Sequence, residues 1–316
     1  MKKRVITGIG YVIVMAGLLL MKIYIPVIDV PAKQGNTVNQ LAFGSLGVDV
    51  LFWAISVIGA FEFLRAVKDV SKKQWWMTMV TCALITPAFV ITKMVFQGMG
   101  SANASEASLI MLLSVASFGA MAVASLMVFD FERSNIKSTA LAELCILYCG
   151  VLTCVGPNIN HLGQGLSMSR TAIILLVILT PMVDASAFFF GMLFGKKLPF
   201  KLAPHTSPNK TVIGAVGGVI GGIAAATLVW LVTEFVPGAS FDYGSDMVQR
   251  LLLLILFSLP ASVFAQLGDL FESAIKRGCG VKDMGKLLPG HGGVLDRFDS
   301  MLFASVAIAV CFMIIG

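Results

Sequence analysis

The chain has 316 residues, of which 57% are hydrophobic and 13% charged, with a mean hydropathy of +0.90. A soluble domain carries about 25% charged residues, so these charges cannot cover a water-facing surface, and whole-chain soluble enzyme folds are excluded. The fold class expected is all-α: a polytopic integral membrane protein with about nine transmembrane helices, its N-terminus cytoplasmic, and no room for a large extramembrane domain.

In chain order, nine apolar runs are spaced as spans: 5–30, 47–64, 75–97, 109–131, 138–157, 170–194, 211–236, 250–268 and a short last one, 300–316. Lys2, Lys3 and Arg4 ahead of the first run resemble a signal peptide's start, but no small-residue cleavage pattern follows, so an uncleaved first helix is expected. If the N-terminus and every second loop share one side, eighteen Lys/Arg fall there and five elsewhere. That asymmetry obeys the positive-inside rule and places the polar segments 195–210 and 269–299 in the cytoplasm. It converts most of the net charge of +6 into topology. Nucleic acid is not an expected partner.

Residues 1–169 read as N-terminal transmembrane helices and 170–316 as C-terminal helices with cytoplasmic catalytic loops, together one integrated membrane domain. The first half carries few unusual features inside its spans; Lys93 and Glu143 lie near span ends, where snorkelling or interfacial placement is expected. Five of the six cysteines lie in apolar runs and no CxxC pair exists, so they read as small buried hydrophobes. Gly214, Gly217, Gly218, Gly221 and Gly222 sit inside an apolar run and suit close helix–helix approach, not a phosphate loop.

The second half holds the chemistry. Asp184 falls within a span, three residues after Pro181; a carboxylate at that depth faces a wet cavity or a partner, an ion pair or cap being the structural alternative. If the eighth helix continues past 268, Asp269, Glu272, Ser273 and Lys276 share one face: carboxylates for a hard cation, a hydroxyl, and an ammonium for phosphate. A solvated helix end with an internal Glu272–Lys276 pair is the alternative. Lys282 to Gly293 is a basic, glycine-rich loop whose N–H groups and lysines suit phosphate oxygens. Asp296, Asp299 and Ser300 then share a face at the start of the last span, in excess of what N-capping needs. Ser207-Pro208-Asn209-Lys210-Thr211 offers hydroxyls and an ammonium to a nucleotide phosphate, or forms a turn before a helix. These parts suit a reaction between anions at a membrane surface, with carboxylates binding Mg²⁺.

Ser273-Ala274-Ile275-Lys276-Arg277, Lys282-Asp283 and Leu288-Pro289-Gly290-His291-Gly292-Gly293-Val294-Leu295-Asp296-Arg297-Phe298-Asp299 together resemble the signature of the phosphatidate cytidylyltransferase (CDP-diglyceride synthase) family. Asp184 with Gly191 and Gly195, and Ser207 to Thr211, agree upstream, so the motif coverage runs from about 184 to 300. The resemblance implies transfer of the cytidylyl group of CTP to phosphatidate, giving CDP-diacylglycerol and pyrophosphate in phospholipid biosynthesis at the cell membrane, the active site facing the cytoplasm. It implies Mg²⁺, with K⁺ as a possible companion, and a possible homodimer. Asp269, Asp296, Lys276, Arg277 and Asp299 would be catalytic, with Asp269, Asp296 and Asp184 at the metal. Ser207, Lys210, Thr211, Ser273, Lys282, Asp283, His291, Gly292, Gly293 and Arg297 would hold the nucleotide or lipid phosphate. Two departures mark this chain: Val212-Ile213-Gly214 stands where the family usually has Trp-Glu-Gly, and Phe188 where it usually has Tyr. A cytidylyltransferase for an isoprenoid lipid phosphate and an ion-coupled transporter using Asp184 and Asp269 are the alternatives. A CDP-alcohol phosphotransferase is disfavoured, its Asp-Gly…Ala-Arg…Asp…Asp array being absent.

Overall fold

The computed structural model describes residues 2–24, 27–30, 39–99, 101, 103–162, 166–195, 200–237, 239–244, 246–290 and 292–315. Each apolar run becomes a helix: α1 Lys2–Tyr24, α2 Phe43–Ala66, α3 Lys72–Gly98, α4 Ala104–Phe129, α5 Ile136–Cys145 with α6 Val155–Asn160, α7 Leu166–Phe194, α8 Val212–Phe235, α9 Met247–Gly278 and α10 Leu295–Ile315. Between α5 and α6 the chain winds as a π-helix over Ile146–Val151, so 136–160 forms one span. Eight spans among the described residues are long and apolar enough to cross a membrane, and α1 adds the apolar stretch Val12–Tyr24. The protein is a polytopic all-α membrane protein. Apolar side chains such as Phe118 (72% exposed) and Ile314 (78%) face outward, as lipid contact requires.

Two boundaries differ from the sequence reading. The first helix stops at Tyr24, and Val27–Val30 (β1) pairs antiparallel with Asn39–Ala42 (β2); Pro26 lacks the N–H a continuing helix needs. The last helix begins at Leu295 and is 21 residues long, a full span that draws Asp296 and Asp299 into its first turns. Lys93 is buried, and its ammonium donates to the Ser105 hydroxyl at 2.6 Å.

The chain divides into two compact units, Met1–Pro157 with Asp283–Leu295, and Asn158–Lys282 with Asp296–Gly316. In the first, Ser71 and Asn135 close capping boxes on α3 and α5, satisfying N–H groups the helices cannot. Cys82, Cys145, Cys149 and Cys154 are buried as free thiols.

In the second unit the glycines of α8 form two seams. A Cβ at Gly217 would enter the Phe190 ring and one at Gly221 the Ser186 side chain, both on α7; Gly218 and Gly222 sit against Gln266 and Ser262 on α9. The absent side chains let three backbones approach closely, which supplies association where lipid removes the hydrophobic driving force. Arg250 locks one end of the α8–α9 pair through two bonds to Glu234, at 2.5 and 3.0 Å. Gly222→Val forces a branched side chain into Ser262 and should lower stability by roughly 1–3 kcal/mol, read as an earlier thermal transition in detergent. An unchanged transition would show that α8 and α9 do not pack this closely.

Candidate active site

The polar cluster of the second unit is built by four elements. α9 continues to Gly278, so Asp269, Glu272, Ser273 and Lys276 do share a face. The Lys276 ammonium donates to Asp296 Oδ1 at 2.8 Å and pairs with Glu272 one turn earlier. Both acids are withdrawn from solvent, the Glu272 side chain completely and that of Asp296 to 3% exposure. Lys210 reaches Asp269 Oδ2 at 2.5 Å, and the Ser273 hydroxyl donates to the other Asp269 oxygen at 3.5 Å.

On α7, Asp184 remains accessible and accepts from the Ser300 hydroxyl at 3.3 Å. It lies within electrostatic range of Asp269, Asp299 and Lys210. Asp299 is buried, and one of its oxygens accepts from the Ser300 N–H at 2.7 Å. Gly268 makes the approach of α9 and α10 possible, since a Cβ there would strike the Asp299 carbonyl oxygen.

Asp184, Asp269, Glu272, Asp296 and Asp299 thus share a cluster with Lys210 and Lys276. Carboxylates in excess of ammonium groups, with hydroxyls beside them, form an all-oxygen donor set of the kind hard divalent cations prefer. Among the described residues, no group of three or more acidic, histidine or cysteine side chains is arranged to hold a metal ion. Of the three acids read as metal ligands, the structure sets Asp184 near Asp269, whereas Asp296 is held with Glu272 by Lys276.

The remaining predicted residues are placed as follows. Lys201–Ala203 (β3) and Ser207–Thr211 (β4) form an antiparallel hairpin, a strand where a loop or turn was expected. Ser207 is half-buried in it. Thr211 is buried, and its hydroxyl oxygen accepts from the Gly214 N–H at 3.1 Å. That oxygen thereby caps α8, pairing an N–H that must otherwise go unpaired, while its own O–H is left to donate. Arg277 is exposed, its guanidinium 3.4 Å from the carbonyls of Thr206 and Val281. Lys282 and Arg297 are exposed. His291 lies outside the described residues.

Asp283, Gly292 and Gly293 belong to the first unit. There the loop closes on itself, the Leu288 N–H donating to the Gly292 carbonyl at 2.9 Å. Gly290 and Gly292 have φ of +82° and +84°, values that side chains with a Cβ rarely adopt. Beside Gly293 stands a residue the sequence reading passed over: Glu62 of α2, only 4% exposed. It accepts from the N–H groups of Val294 and Leu295 at 3.1 and 3.0 Å. An acid inside the run 47–64 was the available signal, and it is one of the few unusual features inside the first-half spans.

The model of the cytidylyltransferase family matches residues 36–315. The chain belongs to this family. Similar family members include the phosphatidate cytidylyltransferase of Bacillus subtilis, 32% identical over 82% of this chain and 86% of the relative. The enzyme of that name from Staphylococcus saprophyticus is 36% identical over 56% of this chain and 60% of its own. That from Helicobacter pylori is 45% identical over 44% and 46%. Within this cytidylyltransferase, the two departures fall on residues that are not buried: Val212 opens α8, and Phe188 is 68% exposed on α7.

Proposed function

We propose that this chain is a phosphatidate cytidylyltransferase. A phosphate oxygen of phosphatidate attacks the α-phosphorus of CTP, the bond from that phosphorus to the β-bridging oxygen breaks, and pyrophosphate leaves, giving CDP-diacylglycerol. The observation that carries this reading is the cluster of five acids around two lysines, to which the motif contributes Lys276, Asp296 and Asp299. Such chemistry brings two anions together, so positioning and charge compensation do most of the work.

Asp184 and Asp269, which lie near each other, would offer the first carboxylates to Mg²⁺, with K⁺ as a companion and the phosphates of CTP completing the oxygen set; Asp296, held by Lys276, and Asp299 enter through the motif. The bound cation would supply charge neutralisation at the phosphates. Lys210 and Lys276 are point charges able to turn from carboxylate to phosphate, and Arg277 offers a planar fork to a second phosphate. Ser273 orients Asp269, and Ser300 orients Asp184. Lys282, Asp283, His291, Gly292, Gly293 and Arg297 enter through the motif, which runs in order from Ser273 to Asp299. In this proposal the polar segments and the N-terminus face the cytoplasm of the cell membrane, where CTP is present, and the enzyme works as a homodimer.

The test is incubation of purified protein with labelled CTP, phosphatidate and Mg²⁺. CDP-diacylglycerol and pyrophosphate in equal amounts are expected, with little product when an isoprenoid phosphate replaces phosphatidate. Preference for the isoprenoid phosphate overturns the substrate, and vectorial flux without pyrophosphate release overturns the enzyme.

A further inference from the structure

The geometry points to Glu62 as a positioning residue that holds the glycine-rich loop in the shape that receives the nucleotide, so that it sets the affinity for CTP from a helix outside the family signature. This inference rests on the reading of that loop as part of the CTP site.

Glu62 sits 20 residues into a 24-residue apolar helix and is almost wholly withdrawn from solvent. A buried carboxylate is a poor way to stabilise a helix bundle, since its desolvation costs more than an apolar residue of the same volume would. Its oxygens are nevertheless fully directed. One takes the N–H of Val294 and the other that of Leu295, neighbouring donors at the mouth of α10. These donors are orphans of the helix start, and a carboxylate there also meets the positive end of the helix dipole.

The loop is shaped around this acid at a second level. A Cβ added at Gly285 or at Gly293 would overlap the Glu62 carboxylate, in both cases against the side-chain oxygens. Two glycines of a loop that reads as a phosphate cradle are therefore glycines because Glu62 occupies the space beside them. The positive φ at Gly290 and Gly292 provides the turn between these two contacts. Gly285, Gly293, Val294 and Leu295 are thereby referred to one rigid point on α2, and the residue that follows Leu295 in the chain is Asp296. The bonds are charge-assisted and buried, hence strong and directional. A loop that must present N–H groups to phosphate gains affinity when its bound shape is already formed.

Three variants test this. Glu62→Gln keeps volume but turns an amide N–H₂ toward one of the two donors; Glu62→Ala removes both acceptors; Gly293→Ala displaces the carboxylate while leaving it in place chemically. Each is purified, checked for monodispersity and assayed with CTP and phosphatidate varied separately. Glu62→Gln should raise KM for CTP about tenfold, the equivalent of one charge-assisted bond, with KM for phosphatidate and kcat within about twofold. Gly293→Ala should shift the same parameter. A fall in active enzyme with KM for CTP unchanged would assign Glu62 to folding alone and overturn the proposal. Amide exchange of nucleotide-free protein separates the premises. Faster exchange at Val294 and Leu295 in Glu62→Gln supports the clasp, and unchanged exchange overturns it. Wild-type protein that makes no CDP-lipid overturns the function instead, and the exchange data still decide whether Glu62 holds the loop.

Discussion

Asp296→Asn should lower CTP-dependent turnover by about 100- to 1000-fold, the effect of weakening the hold on a cation, Mg²⁺ or the Lys276 ammonium, that compensates the phosphates' charge. Asp296 is held in the first turn of α10 with its side chain almost inaccessible and one oxygen on Lys276. Two roles are open to it, ligand to Mg²⁺ or anchor of Lys276, and titration of Mg²⁺ separates them. A ligand's loss raises the Mg²⁺ concentration needed for half-maximal rate; an anchor's loss lowers the rate at every concentration. Asp246 provides the control. It caps α9 by accepting from the Gln249 N–H at 2.7 Å, so Asp246→Ala should cost about 1 kcal/mol of stability and leave turnover unchanged. Near-normal activity of purified Asp296→Asn would remove Asp296 from the site.

Lys276→Met should inactivate the enzyme and also destabilise it. The ammonium is the shared partner of Glu272 and Asp296, and taking it away leaves two buried carboxylates facing each other. Breaking a buried pair on one side costs about 3–5 kcal/mol, because the remaining charge has no solvent to return to. The thermal transition in detergent should fall accordingly. Adding Glu272→Gln should recover part of that stability without recovering activity, the non-additivity that residues in one network show. Lys276→Arg should keep the fold, since the charge remains, yet lose most turnover, because a planar fork cannot replace a compact ammonium between two acids. If Lys276→Met unfolds at the wild-type temperature, the three side chains do not form the buried network described.

What could be read in advance follows from which interactions are local. The face of α9 carrying Asp269, Glu272, Ser273 and Lys276 was legible, because helical geometry brings i, i+3, i+4 and i+7 together whatever surrounds them. The glycine seam of α8 was legible for the same reason; which glycine meets α7 and which meets α9 was not. The capping of α8 by Thr211 was only partly legible, because a hydroxyl before a helix can accept from its own backbone and still donate its proton to a phosphate. Glu62 was missed because its partners lie more than 230 positions away, and no spacing rule reaches that far.

By itself the sequence determined that this protein lives in a membrane, since so few charges cannot clothe a soluble surface. It also determined the order of the spans and, through the ordered motif from Ser273 to Asp299, the family. Only the tertiary structure decided the pairing between elements: Lys210 with Asp269, Lys276 with Asp296, Asp184 with Ser300, and Glu62 with the start of α10. Periodicity places a charge on a face. Which opposite charge meets it there depends on how helices distant in the chain pack, and burial then makes that choice costly to change.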